Sequence, residues 1–214
     1  RFAKLIDDDA RVISSLEKSF QENDREPFLA IRLSSIYVSQ NNIDKAKEII
    51  KSAMERRRAD HRLNYHYAEL LRGHTSFDPK ELMYFYRRGF TPGDNNYQAQ
   101  FWYARYAYNS AKIVDQSTAA DIFELLRKAR VSYGDKVEIR DYDLVNGSPV
   151  RMNGVVKVKR ATFGFLTIHG TGNDIFFPAS SVEDGMWDAI REGDPLNFNL
   201  GYCYKGVVAC EVCC

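Results

Sequence analysis

The chain has 214 residues, a length that allows one large domain or two of modest size. Hydrophobic residues make up 44% of the sequence, which supports a packed core and excludes an intrinsically disordered chain. The formal net charge is +1, so any electrostatic binding site must be a local feature. No apolar run approaches the ~20 residues of a membrane span, so we expect a cytoplasmic protein with no membrane partner. Because the first residue is Arg1, we also expect a piece of a longer protein.

Residues 8–132 show the periodicity of helices. In the stretch PFLAIRLSSIYVSQNNIDKAKEIIKSAMERRR, Leu33 and Tyr37 recur at helical spacing before the turn-forming residues SQNN. Ala46 and Ile50 then mark one face of a second helix, where small side chains would let two helices approach closely. Further helix pairs follow, and the pattern predicts an α-solenoid of about seven helices.

Large and small residues in this stretch fall at characteristic positions, namely Tyr37, Ala46, Ile50 and Ala53. In this respect the segment resembles the tetratricopeptide repeat, whose period is about 34 residues. The match covers one repeat, because Arg58 stands where the repeat ends on a proline and the next helix pair is shifted in register. The resemblance implies a scaffold that binds a protein partner through helical repeats.

The predicted helix NYQAQFWYARYAYNSAK is rich in aromatic residues. Because its rings surround most of the helix, one face could serve as a protein-docking surface, with the candidates Tyr97, Trp102, Tyr103 and Tyr106. The alternative is that neighbouring helices bury this helix on both sides, and we favour that interpretation.

The character of the sequence changes after Tyr133. Glycine, proline, asparagine and aspartate accumulate in YGDKVEIRDYDLVNGSPVRMNG, and five short β-rich runs follow. This pattern predicts an α+β chain built from separate domains. We place a helical-repeat domain at residues 1–135, a linker at 136–151 and a small five-stranded barrel at 152–214.

The barrel segment contains two aromatic motifs. An alternating Phe-Gly-Phe occupies residues 163–165, and an Asp-x-Phe motif follows at Asp174 and Phe176. Other marks of the same pattern are Gly154, Val156, Lys157, Gly193 and the Lys205-Gly206 hairpin. With these marks, residues 152–212 resemble the cold-shock domain, a five-stranded OB-fold. The resemblance implies binding of single-stranded RNA or DNA by base stacking on an aromatic face.

Strand alternation provides an independent reason to expect that face. If Leu166 and Ile168 point into the core, then Phe163, Phe165 and Phe176 lie on the opposite surface. Exposed rings on a flat sheet accept successive bases, because every base has a π-face. We therefore predict these phenylalanines as nucleic-acid-binding residues.

Basic side chains accompany the predicted aromatic face. Lys157 and Lys159 alternate with valines, so both charges are expected beside the rings, with Arg160 close behind, where they would contact phosphates. The family usually has a tryptophan at the position of Val158 and a histidine at that of Pro178. The loss of these stacking positions implies weaker binding than is usual for the family, unless the solenoid adds contacts.

The sequence does not predict catalysis, a cofactor or a metal ion. The histidines have no cysteine or paired acid at the spacing of a catalytic triad or a metal site; they are His61, His66, His74 and His169. All four cysteines fall at the end of the chain, where the pair Cys210 and Cys213 supplies only half of a zinc motif. We interpret them as reduced thiols.

Two functions are compatible with these patterns. The first is a single-stranded nucleic-acid-binding module carried on a helical-repeat scaffold. The alternative is a protein-docking or sensor region of a multidomain regulatory or defence protein, in which the barrel binds protein rather than nucleic acid. Neither pattern predicts the oligomeric state or a preference between RNA and DNA.

Overall fold

The computed structural model describes residues 2–23, 26–73, 77–145, 147–183 and 185–213. Within these residues the chain forms eight helices followed by a closed five-stranded mixed β-barrel, so the predicted separation of α and β parts is confirmed. The chain divides into two compact units, Arg1–Ala119 and Ala120–Cys214. The division falls inside the seventh helix, so the last part of that helix and the whole eighth helix belong with the barrel.

The helices are α1 (Phe2–Glu22), α2 (Pro27–Ser39), α3 (Ile43–Arg56), α4 (His61–Arg72), α5 (Pro79–Arg88), α6 (Tyr97–Tyr108), α7 (Ile113–Arg127) and α8 (Tyr133–Val137). Five of them begin after a side chain that accepts a backbone hydrogen bond from the first turn, namely Asn42, Asp60, Asp78, Asn96 and Ser132. Among the described helices, none combines the length and apolar content that crossing a bilayer requires.

Consecutive helices of the first unit pack on one another in chain order, and α2 also contacts α4. Ala46 and Ile50 of α3 are fully buried against Leu33 of α2 and Leu63 of α4. The small Ala46 side chain permits the close approach of α2 and α3 that the sequence pattern indicated. This sequential packing is that of the predicted helical solenoid.

In the part of the second unit that the structure describes there are eight strands. They are β1 (Asp141–Tyr142), β2 (Leu144–Val145), β3 (Ser148–Pro149), β4 (Arg151–Lys159), β5 (Phe163–Ile168), β6 (Asp174–Pro178), β7 (Pro195–Cys203) and β8 (Gly206–Cys213). Five of them close the barrel in the order β4-β5-β6-β8-β7, with β7 pairing back to β4 and β6 running parallel to β8. The segment interpreted as a linker contributes β1, which pairs with β7, and a short β2–β3 hairpin.

The barrel core follows the alternation of its strands. Leu166 and Ile168 of β5 point inward, where they pack with Ile175 and Phe177 of β6 and with Phe198 of β7. Every second residue of β5 and β6 must therefore face outward. This arrangement creates the outer surface on which the predicted site lies.

Candidate nucleic-acid interface

Three phenylalanine rings form a cluster on the outer side of the barrel. Phe163 and Phe165 are two residues apart on β5, and Phe165 stands directly opposite Phe176 on β6. The ring centroid of Phe163 is 6.0 Å from that of Phe165 and 5.7 Å from that of Phe176, on which it stacks. All three side chains are half-buried. We call this cluster the aromatic face.

The glycine between the two β5 phenylalanines has a structural role. Gly164 points inward, and a Cβ atom added there would lie 2.4 Å from Cε1 of the Phe177 ring and 2.7 Å from the carbonyl oxygen of Val158. Only glycine leaves room for the Phe177 ring beneath the strand. The Phe-Gly-Phe motif therefore combines two outward rings with one close packing position below them.

A β-bulge changes the direction of one predicted phosphate contact. Between Val156 and Val158 the register of β4 against β5 shifts, so that Val158 pairs with Phe165 and Lys159 pairs with Gly164. Paired residues share a face, so Lys159 lies on the side opposite the rings, with its Nζ 5.1 Å from the ring centroid of Trp187. The expectation that Lys159 accompanies Lys157 beside the rings is wrong, because simple alternation takes no account of a bulge.

Lys157 is close to the aromatic face but is paired with a carboxylate. Its Nζ lies 2.5 Å from Oδ2 of Asp174, and Oδ1 of Asp174 accepts a hydrogen bond of 2.9 Å from Thr167 Oγ1. These bonds, first of all the one from Lys157, hold the pKa of the Asp174 carboxyl below its ordinary value. A phosphate must therefore compete with Asp174 for this ammonium group.

Arg160 lies in the turn between β4 and β5, next to the first ring. Its backbone N–H donates a 2.8 Å hydrogen bond to the carbonyl oxygen of Phe163, and its side chain is exposed. Nη1 of Arg160 is 3.9 Å from Oε1 of Glu192, a long and solvent-exposed ion pair. The cations near the rings are thus accompanied by acids, and the local charge is close to balanced.

Aliphatic residues extend the aromatic face across the sheet. Val158, Phe165, Phe176 and Val208 form one row over four neighbouring strands, because each is the register partner of the next. Pro178 stands opposite Phe163 in the adjacent row. The positions where the resembled family carries a tryptophan and a histidine therefore still belong to this surface, but they offer apolar contact instead of ring stacking.

A groove adjoins the aromatic face on the side of β8. It is a cavity of about 710 Å³ whose walls include α8 on one side and β8 on the other. Phe176 contributes to its lining, so the groove and the aromatic face share a residue. The groove is not visible in the sequence, because α8 falls at the end of the predicted helical domain and in the predicted linker. The signal in the sequence that could have indicated the groove was an aromatic residue, Tyr133, directly before Gly134.

The aromatic residues of α6 are packed inside the first unit. Trp102 and Tyr103 are each only 7% exposed, and Tyr97 and Tyr106 are half-buried. The expectation of an exposed docking surface on this helix is therefore wrong for Trp102 and Tyr103. The alternative interpretation, burial by neighbouring helices, describes these two residues.

The α6 rings belong to a packed network with satisfied polar groups. Tyr86 of α5 stacks on Trp102 and Tyr106 at centroid distances of 6.4 and 6.2 Å, and the Arg72 guanidinium lies 4.0 Å from the Trp102 ring centroid. The Tyr86 hydroxyl donates a 2.6 Å hydrogen bond to Glu69. Burial, reinforced by the Glu69 carboxylate, raises the pKa of Tyr86. These contacts indicate a structural role.

The histidines and cysteines of the described residues do not form a metal-binding cluster. No group of three His, Cys, Asp or Glu side chains in the described ranges is close enough to hold a metal ion. Cys203 and Cys210 are buried, and burial raises the pKa of the Cys210 thiol to about 12. His74 and Cys214 lie outside the described residues.

No protein-family model matches this chain, and no curated protein is significantly similar to it. The likenesses to the tetratricopeptide repeat and to the cold-shock domain therefore depend on the motifs and the observed architecture alone.

Proposed function

We propose that the barrel binds single-stranded nucleic acid on its aromatic face. The observation that carries the proposal is the cluster of Phe163, Phe165 and Phe176 on an outer sheet surface, with the Lys157 ammonium nearby. Stacking a base on such a ring contributes about 1–3 kcal/mol. The helical unit, with its resemblance to tetratricopeptide repeats, would act as the scaffold that presents the barrel or recruits a protein.

The geometry supports modest rather than tight binding. The three rings cover one another in part, with centroids 5.7 to 6.0 Å apart, so each has less free surface than an isolated ring. Lys157 is engaged by Asp174, and Arg160 lies near Glu192. A strand held by few phosphate contacts shows a shallow dependence of affinity on salt. The cold-shock-like OB-fold assignment, which the two aromatic motifs suggest, has the same consequence, because only three of the six ring positions of that family are carried over to this chain.

The first test is a titration of a labelled oligothymidine or oligouridine at low salt, followed by fluorescence anisotropy. We expect tighter binding of the single strand than of a duplex of equal length. The changes Phe163→Ala and Phe176→Ala should each weaken binding by about 5- to 150-fold, the equivalent of about 1–3 kcal/mol. The matched control is Phe28→Ala, which removes an exposed phenylalanine from the helical unit and should leave affinity unchanged.

Two lysine variants test which side of β4 the nucleic acid contacts. Lys157→Gln should reduce the slope of log affinity against log salt by about 0.7, the value for one lost phosphate contact on a single strand. Lys159→Gln should leave the slope unchanged, because this side chain lies on the opposite side over Trp187. If the wild-type protein does not bind at low salt, or if the double phenylalanine variant binds equally well, the protein-docking alternative is favoured instead.

A further inference from the structure

We propose that the groove between α8 and β8 is a second subsite for the same single strand, which takes a base against Tyr133 and a phosphate against Lys205. This inference rests on the proposed function of the aromatic face. It assigns a binding role to a part of the molecule that the two aromatic motifs do not include.

The groove is continuous with the aromatic face. Phe176 contributes to both, and its register partner Val208 on β8 lies in the groove wall. Neighbouring β-strands are about 4.8 Å apart. An oligonucleotide bound on the Phe176 ring therefore needs to extend by only one β-strand to reach the groove wall at Val208. The path from the third ring therefore leads into the groove.

The end of the groove next to the turn between β7 and β8 carries an exposed aromatic ring and a cation. Tyr133 is 70% exposed, and the Nζ of Lys205 lies 4.5 Å from its ring centroid. Stacking a base on this exposed ring would bury apolar surface of the ring and would stabilise a complex. The geometry offers a base one free side of the ring and offers a phosphate the adjacent ammonium group.

Lys205 differs from Lys157 in its surroundings. Lys157 is held by Asp174, whereas no carboxylate within the described ranges forms an ion pair with Lys205. The backbone oxygen of Lys205 accepts a 2.8 Å hydrogen bond from Nε of Arg127, whose own charge is paired with Glu124 at 3.2 Å. Lys205 is therefore better placed than Lys157 to receive a phosphate.

The opposite end of the groove has more acidic than basic residues. Arg151 donates from Nη1 to the backbone oxygen of Glu211 at 3.0 Å, and the carboxylates of Glu183 and Glu211 lie in the same region. This end is roughly 17 Å from Gly206 along β8, at about 3.3 Å per residue. We therefore expect the phosphates to follow the Lys205 end and the strand to stop before Glu211.

The walls between these ends suit the flat body of a base. The lining includes Val137, Ile139, Val208 and Cys210, so the surface is mainly apolar. Burial raises the pKa of the Cys210 thiol to about 12, which keeps it uncharged at neutral pH. An apolar slot with a cation at its mouth accepts a nucleobase and its phosphate together.

The test compares oligothymidines of about three and about eight nucleotides, since OB-folds bind about 4–16 nucleotides. Tyr133→Ala should weaken binding of the longer strand by at least about fivefold and leave the shorter strand unchanged. Lys205→Gln should lower the salt slope of the longer strand by about 0.7. Tyr133→Phe keeps the ring and should retain binding of both strands.

The matched control is Tyr84→Ala. Tyr84 is 55% exposed and has the Arg88 guanidinium 5.2 Å from its ring centroid, so it repeats the pairing of an exposed tyrosine with a cation in the helical unit. This variant should bind both strands as the wild type does.

The possible failures are distinguishable. If the phenylalanine variants lose affinity while Tyr133→Ala binds the longer strand normally, the groove is not part of the path and the aromatic face stands alone. If neither strand binds the wild-type protein, the proposed function fails and the subsite fails with it. Equal weakening of short and long strands by Tyr133→Ala would indicate a general disturbance of the barrel and would overturn the subsite.

Discussion

Two aromatic-rich segments of this chain have opposite environments. In α6, Trp102 and Tyr103 are only 7% exposed, whereas β5 and β6 leave Phe163, Phe165 and Phe176 half-buried on an outer surface. Of the six rings in α6, three are buried, namely Phe101, Trp102 and Tyr103. Aromatic content by itself does not identify a binding surface, because the number of packed sides decides which rings reach solvent.

The difference has a geometric cause. α6 is apolar on several sides, and its small residues Ala99, Ala104 and Ala107 are fully buried, so neighbouring elements pack closely around it. A strand in a small barrel has only one inward face, and its alternate residues must point away from the core. Rings on a barrel strand thus have a surface available to a ligand that rings on an enclosed helix do not have.

The largest effect that we expect would test the structural role of the α6 rings. Trp102→Ala should lower the free energy of unfolding of the helical unit by about 3–5 kcal/mol, because it leaves a cavity beside Tyr86 and Arg72. Urea denaturation followed by far-ultraviolet circular dichroism measures this change. The control Gln98→Ala, at an exposed position of the same helix, should stay within about 0.5 kcal/mol of the wild type.

The folded Trp102→Ala variant should bind the oligonucleotide with unchanged affinity, because we assign the α6 rings a structural role and the aromatic face the binding role. Loss of affinity without loss of stability would instead indicate that α6 contacts the ligand, and the contrast between the two aromatic segments would then break down.

A smaller effect on stability is expected within the Phe-Gly-Phe motif. Gly164→Ala should destabilise the barrel by about 1–3 kcal/mol, because the added methyl group overlaps the Phe177 ring and the Val158 carbonyl oxygen. Gly134→Ala is the matched control, since the nearest atom to a Cβ there is Ser132 Oγ at 3.7 Å. Thermal unfolding of both variants checks the expectation, which fails if the two behave alike.

The smallest effect concerns the charge beside the rings. Asp174→Asn removes the partner of Lys157 and should raise affinity for a single strand by up to about fivefold at low salt. Anisotropy titrations at several salt concentrations should also show a steeper slope. Asp121→Asn removes the same charge from an exposed site on α7 and serves as the control. Equal gains in both variants would show that only net charge matters.

The order of helices before strands and the faces of the strands follow from patterns in the amino-acid sequence alone. Apolar residues at helical spacing, such as Leu33 and Ile50, specify helices because one side of each must be buried. Alternation along β5 placed Phe163 and Phe165 opposite Leu166 for the same reason. Both patterns arise from local backbone geometry, so they are visible without knowledge of the neighbours.

Which of these side chains are available to a ligand depends on how the elements pack. The bulge in β4 turns Lys159 away from the rings, because its register depends on pairing with β5. Asp174 reaches Lys157 across the sheet over a sequence separation of 17 residues. Packing on the Tyr86 ring likewise covers Trp102. Each of these outcomes depends on contacts between residues distant in sequence, and local sequence patterns do not predict such contacts.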